Sequence, residues 1–564
     1  MLKITLNKEK AYRILAAFVT ALLGFAIGCL FKELYDDVDN YFISLVLNKL
    51  YDNEIYCLYL HPLLCFILGN LSTLFSETDI FLLFLHSIVF AETFWLSYRL
   101  LSLSKSKFKK ILSCLFPLFL IVILNLYIAN YTVIAASLTF VGLLTLFTEA
   151  DKKPSVLHIV IGTFFVLFGV MLRYQAALLF VPFFILKIMV LFFEHKDDLR
   201  SHVITAVKIF TPCIILCLAL FVSMDLVKNS DKYSESVAYD NARRSIQDFP
   251  IEEYDTVKDK LPGISRTEYH AAAGWFLADT DVINTELFEN IEDVAGKNRY
   301  DLSAEGFAGT FKEIFSFIRF NKKVILFFII SVALIVCIFL FSNSPYRKAE
   351  CILALLGAFT IIFYFTFIGR APVHIYHSIL LALMFTLLTS FCTSENTLSC
   401  VVKQNTYSFL HVTVASLLFI VIALCAITGN YTKPQSVFAA KNNDNNVYDT
   451  YNQEDVYVWK DITMYFDCMD QGVLPSKEIL RNNIAVGQWM YGQIYYQNML
   501  NSIGMPNPMK SLIDDKNVYY VSYDYTFILE FLQEHYGDGC EITAYKKDEI
   551  KGIPVWGFDK TPVS

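Results

Sequence analysis

The feature that most constrains this chain is a series of apolar runs, each about 20 residues long. A helix needs a run of that length to cross a hydrocarbon core of about 30 Å, whereas soluble domains have shorter, amphipathic runs. Composition agrees with this reading, since 55% of the 564 residues are hydrophobic, 18% are charged, and the mean hydropathy is +0.47. We therefore predict an α-helical polytopic membrane protein.

Eleven runs are long and apolar enough to be predicted as transmembrane helices. They are residues 11–31, 79–98, 111–129, 132–149, 156–172, 176–193, 205–224, 324–342, 349–368, 373–391 and 408–428. The first run follows a basic start and is longer than the apolar core of a typical signal peptide. No clear small-residue cleavage pattern follows it, so we interpret it as an uncleaved signal anchor.

Basic residues in short loops orient these spans, because loops rich in lysine and arginine stay in the cytoplasm. The basic N-terminus and the cluster from Arg99 to Lys110 are therefore both predicted to be cytoplasmic. One complete crossing from outside must then lie between residues 32 and 99, and the run 79–98 supplies it. The apolar stretch 56–75 is accordingly predicted to lie on, or dip into, the outer membrane surface.

Two long polar segments then fall on the extracytoplasmic side. Residues 224–321 carry 19 acidic and 11 basic side chains, and residues 430–564 carry 18 and 11, so both segments are acidic. Neither offers the basic face that a nucleic acid would need, which excludes nucleic acid as a predicted partner. We divide the chain into a membrane module (1–224), an insertion (225–321), further membrane helices (322–429) and a C-terminal domain (430–564).

The two polar segments differ in their predicted secondary structure. The insertion is predicted to be mostly helical, with turns at Pro250 and at 262–263. The C-terminal domain is predicted to be α/β, with helices over 455–470, 482–503 and 525–536 and strands over 517–523, 540–545 and 554–558. Neither segment contains a nucleophile elbow, a phosphate-binding glycine loop or a zinc spacing.

The thirteen cysteines do not form a disulfide scaffold, because most of them lie in apolar runs, where a buried thiol is the ordinary role. Cys468 and Cys540 both fall in the last polar segment. Whether they form a bridge is left open, since disulfide connectivity does not follow from sequence.

Three carboxylates, Asp36, Asp37 and Asp39, follow the first span at the predicted outer mouth of the membrane. Carboxylates this near hydrocarbon are costly unless they face water, a cation or a polar substrate. Their crowding should raise at least one pKa or recruit a metal ion, and one of them could act as a general base on an acceptor hydroxyl or amine. The alternative is an N-terminal cap for the amphipathic stretch 41–50.

Four further side chains could join this mouth. His61 opens the surface-lying stretch, where a structural hydrogen bond is the alternative to a role in catalysis. Arg173 and Arg370 end apolar spans in predicted outer turns, and arginine suits bidentate phosphate binding. The alternative for both arginines is snorkelling toward lipid headgroups. His374 follows Arg370 closely and either joins the mouth or lines a helix interface.

A cytoplasmic N-terminus, an acidic first outer loop, a His-Pro-Leu surface helix and a second crossing together resemble the GT-C membrane glycosyltransferases. That group includes protein O-mannosyltransferases and aminoarabinose transferases, and the chain also resembles O-antigen glucosyltransferases and uncharacterised bacterial multi-pass proteins. Asp37 and Tyr41 have the acidic–tyrosine spacing of the first outer loop, so the resemblance also makes Tyr41 a candidate for contact with the substrate. His61-Pro62-Leu63-Leu64 is similar to the His-Pro-Pro-Leu signature but departs from it at Leu63. The likeness covers roughly residues 1–200.

The resemblance implies a GT-C-like fold and transfer of a sugar from a polyprenyl-phosphate donor to a glycan or lipid acceptor of the cell envelope. Asp37 or Asp36 would be the base, and Arg173 and Arg370 would hold the phosphate. Some relatives need a divalent metal and others do not, so the cofactor is left open. A transporter or flippase for a lipid-linked glycan and a non-catalytic envelope assembly protein are the alternative functions.

Overall fold

The computed structural model describes residues 8–30, 38–76, 78–103, 113–118, 130–150, 154–296, 302–370, 372–393, 454–460, 475–487 and 489–563. The candidates Asp36 and Asp37, the cysteine Cys468 and the predicted span 408–428 lie outside these residues. Most of the predicted span 111–129 also lies outside them.

Six described helices are long and apolar enough to cross a membrane. They belong to α4 (Ile80–Leu103), α5 (Tyr131–Ala150), α6 (Val156–Leu178), α8 (Leu199–Lys228), α15 (Pro345–Phe367) and α16 (Val373–Thr393). A seventh span results if α13 (Ala304–Phe320) and α14 (Lys322–Phe341) count as one element, although the chain bends by 94° between them. The chain is thus a mostly helical multi-pass membrane protein, and the count of eleven spans stays a prediction.

Four more helices complete the described part of the first half of the chain. They are α1 (Lys8–Leu30), α2 (Val38–Leu47), α3 (Pro62–Leu74) and α7 (Val181–Glu194). Helix α3 has 13 residues and is therefore about 20 Å long, which is too short for a crossing of about 30 Å. It occupies most of the stretch 56–75, which the sequence predicts not to cross.

Close packing and paired charges hold the membrane helices together. Helices α5 and α6 approach so closely that a Cβ at Gly142 would lie 2.6 Å from the Gly162 carbonyl oxygen, so small residues permit the contact. The buried Lys187 ammonium of α7 donates to the Glu350 carboxylate of α15 (3.1 Å) and to the Ser390 hydroxyl of α16 (2.6 Å). Each of these intramembrane charges therefore has a partner within the helix bundle.

The insertion is helical, as its sequence predicts. It contains α9 (Ser234–Gln247), α10 (Tyr254–Val257), α11 (Arg266–Ala273) and α12 (Thr285–Ala295) before α13 begins. A turn separates α10 from α11, and Gly263 adopts a φ of +86° there, a backbone conformation that only glycine adopts easily. The insertion forms its own apolar contacts between α9 and α12 and also packs on the C-terminal segment.

The described part of the C-terminal segment is a five-stranded sheet with helices. Its elements are β1 (Val456–Trp459), α17 (Lys477–Asn482), β2 (Asn483–Ala485), α18 (Ile494–Ser502), α19 (Pro508–Asp514), β3 (Val518–Val521), α20 (Thr526–Tyr536), β4 (Cys540–Ile550) and β5 (Ile553–Pro562). The strand order is β2-β1-β3-β5-β4. The first three strands are parallel, whereas β5 pairs antiparallel with both β3 and β4.

Two of the helix predictions for this segment are wrong where the structure describes them. Residues 456–459 form a strand instead of the start of a helix over 455–470, because Val-Tyr-Val-Trp is a β-branched and aromatic run buried in a parallel ladder. The predicted helix 482–503 begins as strand β2, and only α18 within it is α-helical. Strands β3, β4 and β5 and helix α20 lie where the sequence predicts strands and a helix.

A buried polar junction joins the insertion to the C-terminal segment. The Asn507 side chain is 6% exposed, and its amide lies 2.9 Å from carboxylate oxygens of both Asp279 and Asp281 and from the Tyr536 hydroxyl. Tyr536 also donates to Asp279. Burial raises the pKa of Asp279, and hydrogen bonds from Tyr536 and Asn507 oppose that effect. The two segments are therefore joined by groups that would be costly to bury unpaired.

Replacing Asn507 with alanine is expected to lower the free energy of unfolding by about 1–3 kcal/mol, because the substitution leaves buried oxygens of Asp279 and Asp281 without their amide donor. Thermal unfolding of the detergent-solubilised protein, followed by tryptophan fluorescence, measures the change. Asn501→Ala is the matched control, since Asn501 is exposed on α18. Equal unfolding temperatures for the two variants would contradict the structural role of Asn507.

Candidate functional site

Arg173 lies at a break in a membrane helix. Its φ of −159° and ψ of 92° interrupt α6, which nevertheless continues to Leu178, so the predicted outer turn at 173–175 is a kink within the helix. The break leaves the Met171 carbonyl oxygen available, and the backbone N–H of His61 donates a hydrogen bond to it at 2.8 Å. The kink therefore lets the main chain of α6 bind the start of α3.

The Arg173 guanidinium rests on two aromatic faces. It lies 5.1 Å from the ring centre of Tyr59 and 5.6 Å from that of Tyr131, which are cation–π distances. Among the described residues, no carboxylate forms an ion pair with Arg173 within 4.0 Å, although Asp39 and Asp240 are near enough to attract it. Arg173 is thus a positioned cation that a small anion could approach.

Tyr59 connects this arginine to the insertion. Its hydroxyl lies 3.1 Å from Asp240 Oδ1 and accepts a hydrogen bond from Arg243 Nη2 at 3.0 Å. Arg243 also donates to Asp240 at 2.7 Å. Burial, together with the charge of Asp240, raises the pKa of Tyr59 well above its ordinary value. Tyr59 therefore stays a neutral hydroxyl at physiological pH, and its ring remains a face for Arg173.

Arg370 and His374 both lie within the electrostatic reach of Arg173, but Arg370 is paired with a carboxylate. Its Nη2 donates to Asp248 Oδ2 at 2.7 Å, and its guanidinium lies 5.1 Å from the Phe249 ring centre. Burial lowers the pKa of Arg370, and Asp248 opposes that effect. His374 is near enough to both arginines to be repelled by their charges. The phosphate role predicted for Arg370 stays a prediction.

Basic side chains gather around the kink at Arg173. We call them the basic cluster, and its members are Arg173, Lys228, Arg243, Arg244 and Arg370. Lys228 lies within the electrostatic reach of Arg173 and Arg244. Three described carboxylates oppose the five cations, namely Asp39, Asp240 and Asp248. Among the described residues, these five cations outnumber the three carboxylates by two.

Asp39 is the member of the acidic triplet that the structure describes. It lies in the first turn of α2, is half-buried, and acts electrostatically on Arg173 and Tyr59. Asp39 therefore lies beside the basic cluster, and the catalytic role of the triplet stays a prediction. Tyr41 is 4% exposed and packs in the core beside Phe42, with ring centres 6.1 Å apart. Its predicted contact with substrate stays a prediction.

His61 is held by structural hydrogen bonds at both ring nitrogens. Nδ1 accepts from the Leu63 N–H at 3.1 Å and so caps α3, which leaves the proton on Nε2. Nε2 lies 3.0 Å from both the Leu220 carbonyl oxygen and the Ser223 hydroxyl of α8. Burial lowers the pKa of His61, so the ring is neutral near pH 7. These contacts fit the structural alternative for His61.

The loop that carries Tyr59 is anchored through Glu54. The carboxylate accepts from the Tyr233 hydroxyl at 2.9 Å and from the Tyr56 N–H at 3.2 Å, and it pairs with Lys232. Burial raises the pKa of Glu54, but the hydrogen bonds from Lys232, Tyr233 and Tyr56 outweigh burial and hold this pKa below its ordinary value. Deprotonated Glu54 therefore stabilises the folded loop.

This depressed pKa predicts a pH dependence of stability with a definite sign. The contribution of Glu54 should be fully present above its unfolded pKa of about 4.3 and should be lost as pH falls through the lower folded pKa. Thermal unfolding between pH 3 and pH 6 should show a difference between wild type and Glu54→Gln that shrinks with acidification. A difference that stays constant over this range would contradict the assignment.

A cavity of about 780 Å³ opens beside Asp39, between α2, the insertion and the C-terminal segment. Its lining includes Asp39, Trp275, Lys460, Trp489 and Asp524. Ligand pockets commonly have volumes of about 300–1,000 Å³ and few, placed polar groups. Asp39 thus faces both this cavity and the basic cluster.

Several of these residues could not be found from sequence alone. Tyr59 and Asp240 are 181 positions apart, and no spacing pattern relates them. No group of three or more His, Cys, Asp or Glu side chains in the described ranges could hold a metal ion. The metal question stays open, because Asp36 and Asp37 lie outside those ranges.

Comparisons with known proteins complete the description. No family model matches the chain, and no curated protein matches it. Among solved structures, the chain is similar to ArnT from Cupriavidus metallidurans, crystallised bound to undecaprenyl phosphate. The identity is 11%, the TM-score is 0.36, and the match covers 96% of this chain and 97% of that one. A likeness of this size does not establish a common fold.

Proposed function

We propose that this protein is a membrane glycosyltransferase that moves a sugar from a polyprenyl-phosphate donor to an acceptor of the cell envelope. In this proposal the N-terminus is cytoplasmic, and the basic cluster and both polar segments are extracytoplasmic. The observation that carries the proposal is Arg173, a cation held on two tyrosine rings with no carboxylate ion pair among the described residues.

The basic cluster supports a phosphate-binding role. A guanidinium presents two parallel N–H donors that match two phosphate oxygens, and the interaction strengthens where aromatic rings exclude water. Arg173 packs on Tyr59 and Tyr131 within the protein, which favours ligand binding over snorkelling toward lipid headgroups. Arg370 is neutralised by Asp248, so we assign it to shaping the field around Arg173, with His374 beside it.

The proposed reaction is an inverting displacement. The Asp39 carboxylate takes the proton of an acceptor hydroxyl, and the oxygen of that hydroxyl attacks the anomeric carbon of the sugar. The bond between the anomeric carbon and the phosphate oxygen breaks, and its electron pair stays on the phosphate. Arg173 stabilises the negative charge that develops there. Asp36 and Asp37 precede Asp39 directly and remain candidates for the same base.

The two alternative functions predict different phenotypes. A flippase would move the lipid-linked sugar across the membrane without transferring it to an acceptor. An assembly protein would tolerate changes at Arg173 and Asp39. Transfer of label to an acceptor therefore separates the proposed enzyme from both alternatives.

A reconstituted transfer assay tests the proposal. Purified protein in liposomes is supplied with a panel of polyprenyl-phosphate sugars labelled in the sugar, together with an extract of bacterial envelope glycolipids and glycans. We expect label to move from donor to acceptor for at least one sugar. Parallel reactions with EDTA establish whether a divalent metal is needed. Absence of transfer from every donor, with native mass spectrometry finding no bound polyprenyl phosphate, would overturn the proposal.

A further inference from the structure

The cavity beside Asp39 lies at the carboxyl edge of the parallel strands. Lys460 directly follows β1, Val486 and Gly487 follow β2, and Ser522 begins the loop after β3. Within the sheet, β1 lies between β2 and β3. The next strand in sequence after β1 is thus its neighbour on one side, and the strand after that is its neighbour on the other. Ligands of open α/β sheets bind in the crevice at such a reversal of strand order.

The insertion closes the cavity from the opposite side. The Leu277 N–H donates to the Val486 carbonyl oxygen at 3.0 Å, so the main chains of the two segments meet at the cavity wall. Trp275 has a φ of +61°, which is unusual for a residue with a side chain. This conformation is held beside Gly487, at which a Cβ would lie 3.2 Å from the Trp275 carbonyl oxygen.

Aromatic side chains dominate the lining of the cavity. They are Trp275, Phe276, Trp489, Tyr523 and Phe527. Trp275 and Tyr523 are 37% and 61% exposed, so both offer ring surface to a ligand. Trp489 is 3% exposed, and its indole N–H has no hydrogen-bond partner among the described residues. The Trp489 ring therefore forms part of the cavity wall, with its N–H turned into the protein.

The charged groups of the lining do not favour an anion. Asp39 and Asp524 oppose Lys460, in contrast to the excess of positive charge in the basic cluster. The Asp524 carboxylate accepts from the Thr526 N–H at 2.9 Å and from the Thr526 hydroxyl at 2.7 Å. These bonds lower the pKa of Asp524, which is therefore ionised and can accept hydrogen bonds from hydroxyl groups.

We infer that this cavity binds a neutral saccharide, the part of the acceptor that carries the hydroxyl to be modified. Aromatic faces pack against the C–H groups of a sugar ring, and carboxylates accept hydrogen bonds from its hydroxyls. The identity of this saccharide as an acceptor rests on the proposed function, whereas its binding does not.

The geometry connects the cavity to the site proposed for the donor phosphate. Asp39 belongs to both, since it lines the cavity and attracts Arg173. Tyr59 lies between them, because its ring is 4.6 Å from the Trp489 ring and carries Arg173 on a face. The Arg243 guanidinium likewise joins Trp275, 5.0 Å from its ring centre, to the Tyr59 hydroxyl. A saccharide in the cavity would thus present a hydroxyl to Asp39 near the donor.

A binding measurement that needs no turnover tests the inference. The full-length protein in detergent is applied to an array of bacterial envelope saccharides, and the best ligand is titrated against tryptophan fluorescence. We expect Trp275→Ala and Asp524→Asn each to weaken binding by at least tenfold, a margin of about 1.4 kcal/mol. The matched controls are Tyr545→Ala and Asp548→Asn, which replace exposed residues of β4 outside the lining.

Two outcomes would overturn the inference: no saccharide on the array binds, or the best ligand binds both cavity variants as it binds wild type. Asp524→Asn preserves the shape of the side chain, so it remains informative if Trp275→Ala fails to fold. Arg173→Ala separates the two proposals, since it should lower the rate of transfer by about 100- to 1,000-fold but leave saccharide binding unchanged. Saccharide binding without transfer by the wild type would refute the transferase and the acceptor role, yet retain the binding site.

Discussion

Replacing Arg173 with alanine is expected to lower kcat for sugar transfer by about 100- to 1,000-fold, the usual loss when one positioned donor to a developing charge is removed. The physical reason is that the departing phosphate would keep its negative charge without the guanidinium that Tyr59 and Tyr131 hold in place. Initial rates of label transfer in liposomes measure the loss, and native mass spectrometry of bound polyprenyl phosphate should show weaker binding.

Lysine at the same position is expected to restore only part of the rate. An ammonium keeps the charge but lacks the planar fork that stacks on the tyrosine rings and binds two oxygens. Arg266→Ala is the matched control, because the Arg266 side chain is 69% exposed on the insertion and lies outside the basic cluster. Wild-type rates in Arg173→Ala, or an equal loss in Arg266→Ala, would contradict the role of Arg173.

Asp39→Asn is expected to lower kcat by about 100- to 10,000-fold, because asparagine cannot accept the proton of the acceptor hydroxyl. Binding of polyprenyl phosphate should be retained or strengthened, since the substitution removes a negative charge near Arg173. Single-turnover transfer rates and lipid binding, measured on the same preparation, separate the two effects.

The series includes Asp36→Asn and Asp37→Asn, because these residues share the acidic loop. Asp255→Asn serves as the control, since the Asp255 side chain is 66% exposed on the insertion. If Asp39→Asn transfers sugar at the wild-type rate, Asp39 is not the base. If Asp37→Asn instead shows the largest loss of transfer rate, Asp37 is the general base, as its spacing from Tyr41 first suggested.

Patterns along the chain predict those parts of the fold that depend on local periodicity. Apolar length predicts the membrane helices, and the charge argument predicts that the stretch containing α3 does not cross. Periodicity fails at β1 and β2, because strands buried on both faces lack the alternation that distinguishes a half-buried strand from a helix. The pairing of these strands with β3 is a tertiary contact that no single window contains.

In the candidate site, too, local features can be predicted from sequence, whereas tertiary contacts cannot. Arginine at the end of an apolar run and a carboxylate after the first span are visible in sequence, and the structure brings Arg173 and Asp39 together. The contacts that hold Arg173 cannot be predicted from sequence, because Tyr59 lies in an irregular loop. The hydrogen-bond partners of Tyr59, Asp240 and Arg243, lie more than 180 positions away from it. The pairing of Arg370 with Asp248 is equally remote, since 122 positions separate them.

The way in which the insertion packs on the C-terminal segment has a consequence for biogenesis. The Asn507 amide donates to the buried Asp279, and the Leu277 N–H donates to the Val486 carbonyl oxygen. In both pairs, the partner in the C-terminal segment is synthesised some 200 residues after the partner in the insertion. While the ribosome makes the intervening helices, the insertion therefore lacks the partners of these buried polar groups. A chain terminated before residue 430 would keep the insertion with these buried polar groups unpaired. We expect quality-control proteases to degrade such a chain.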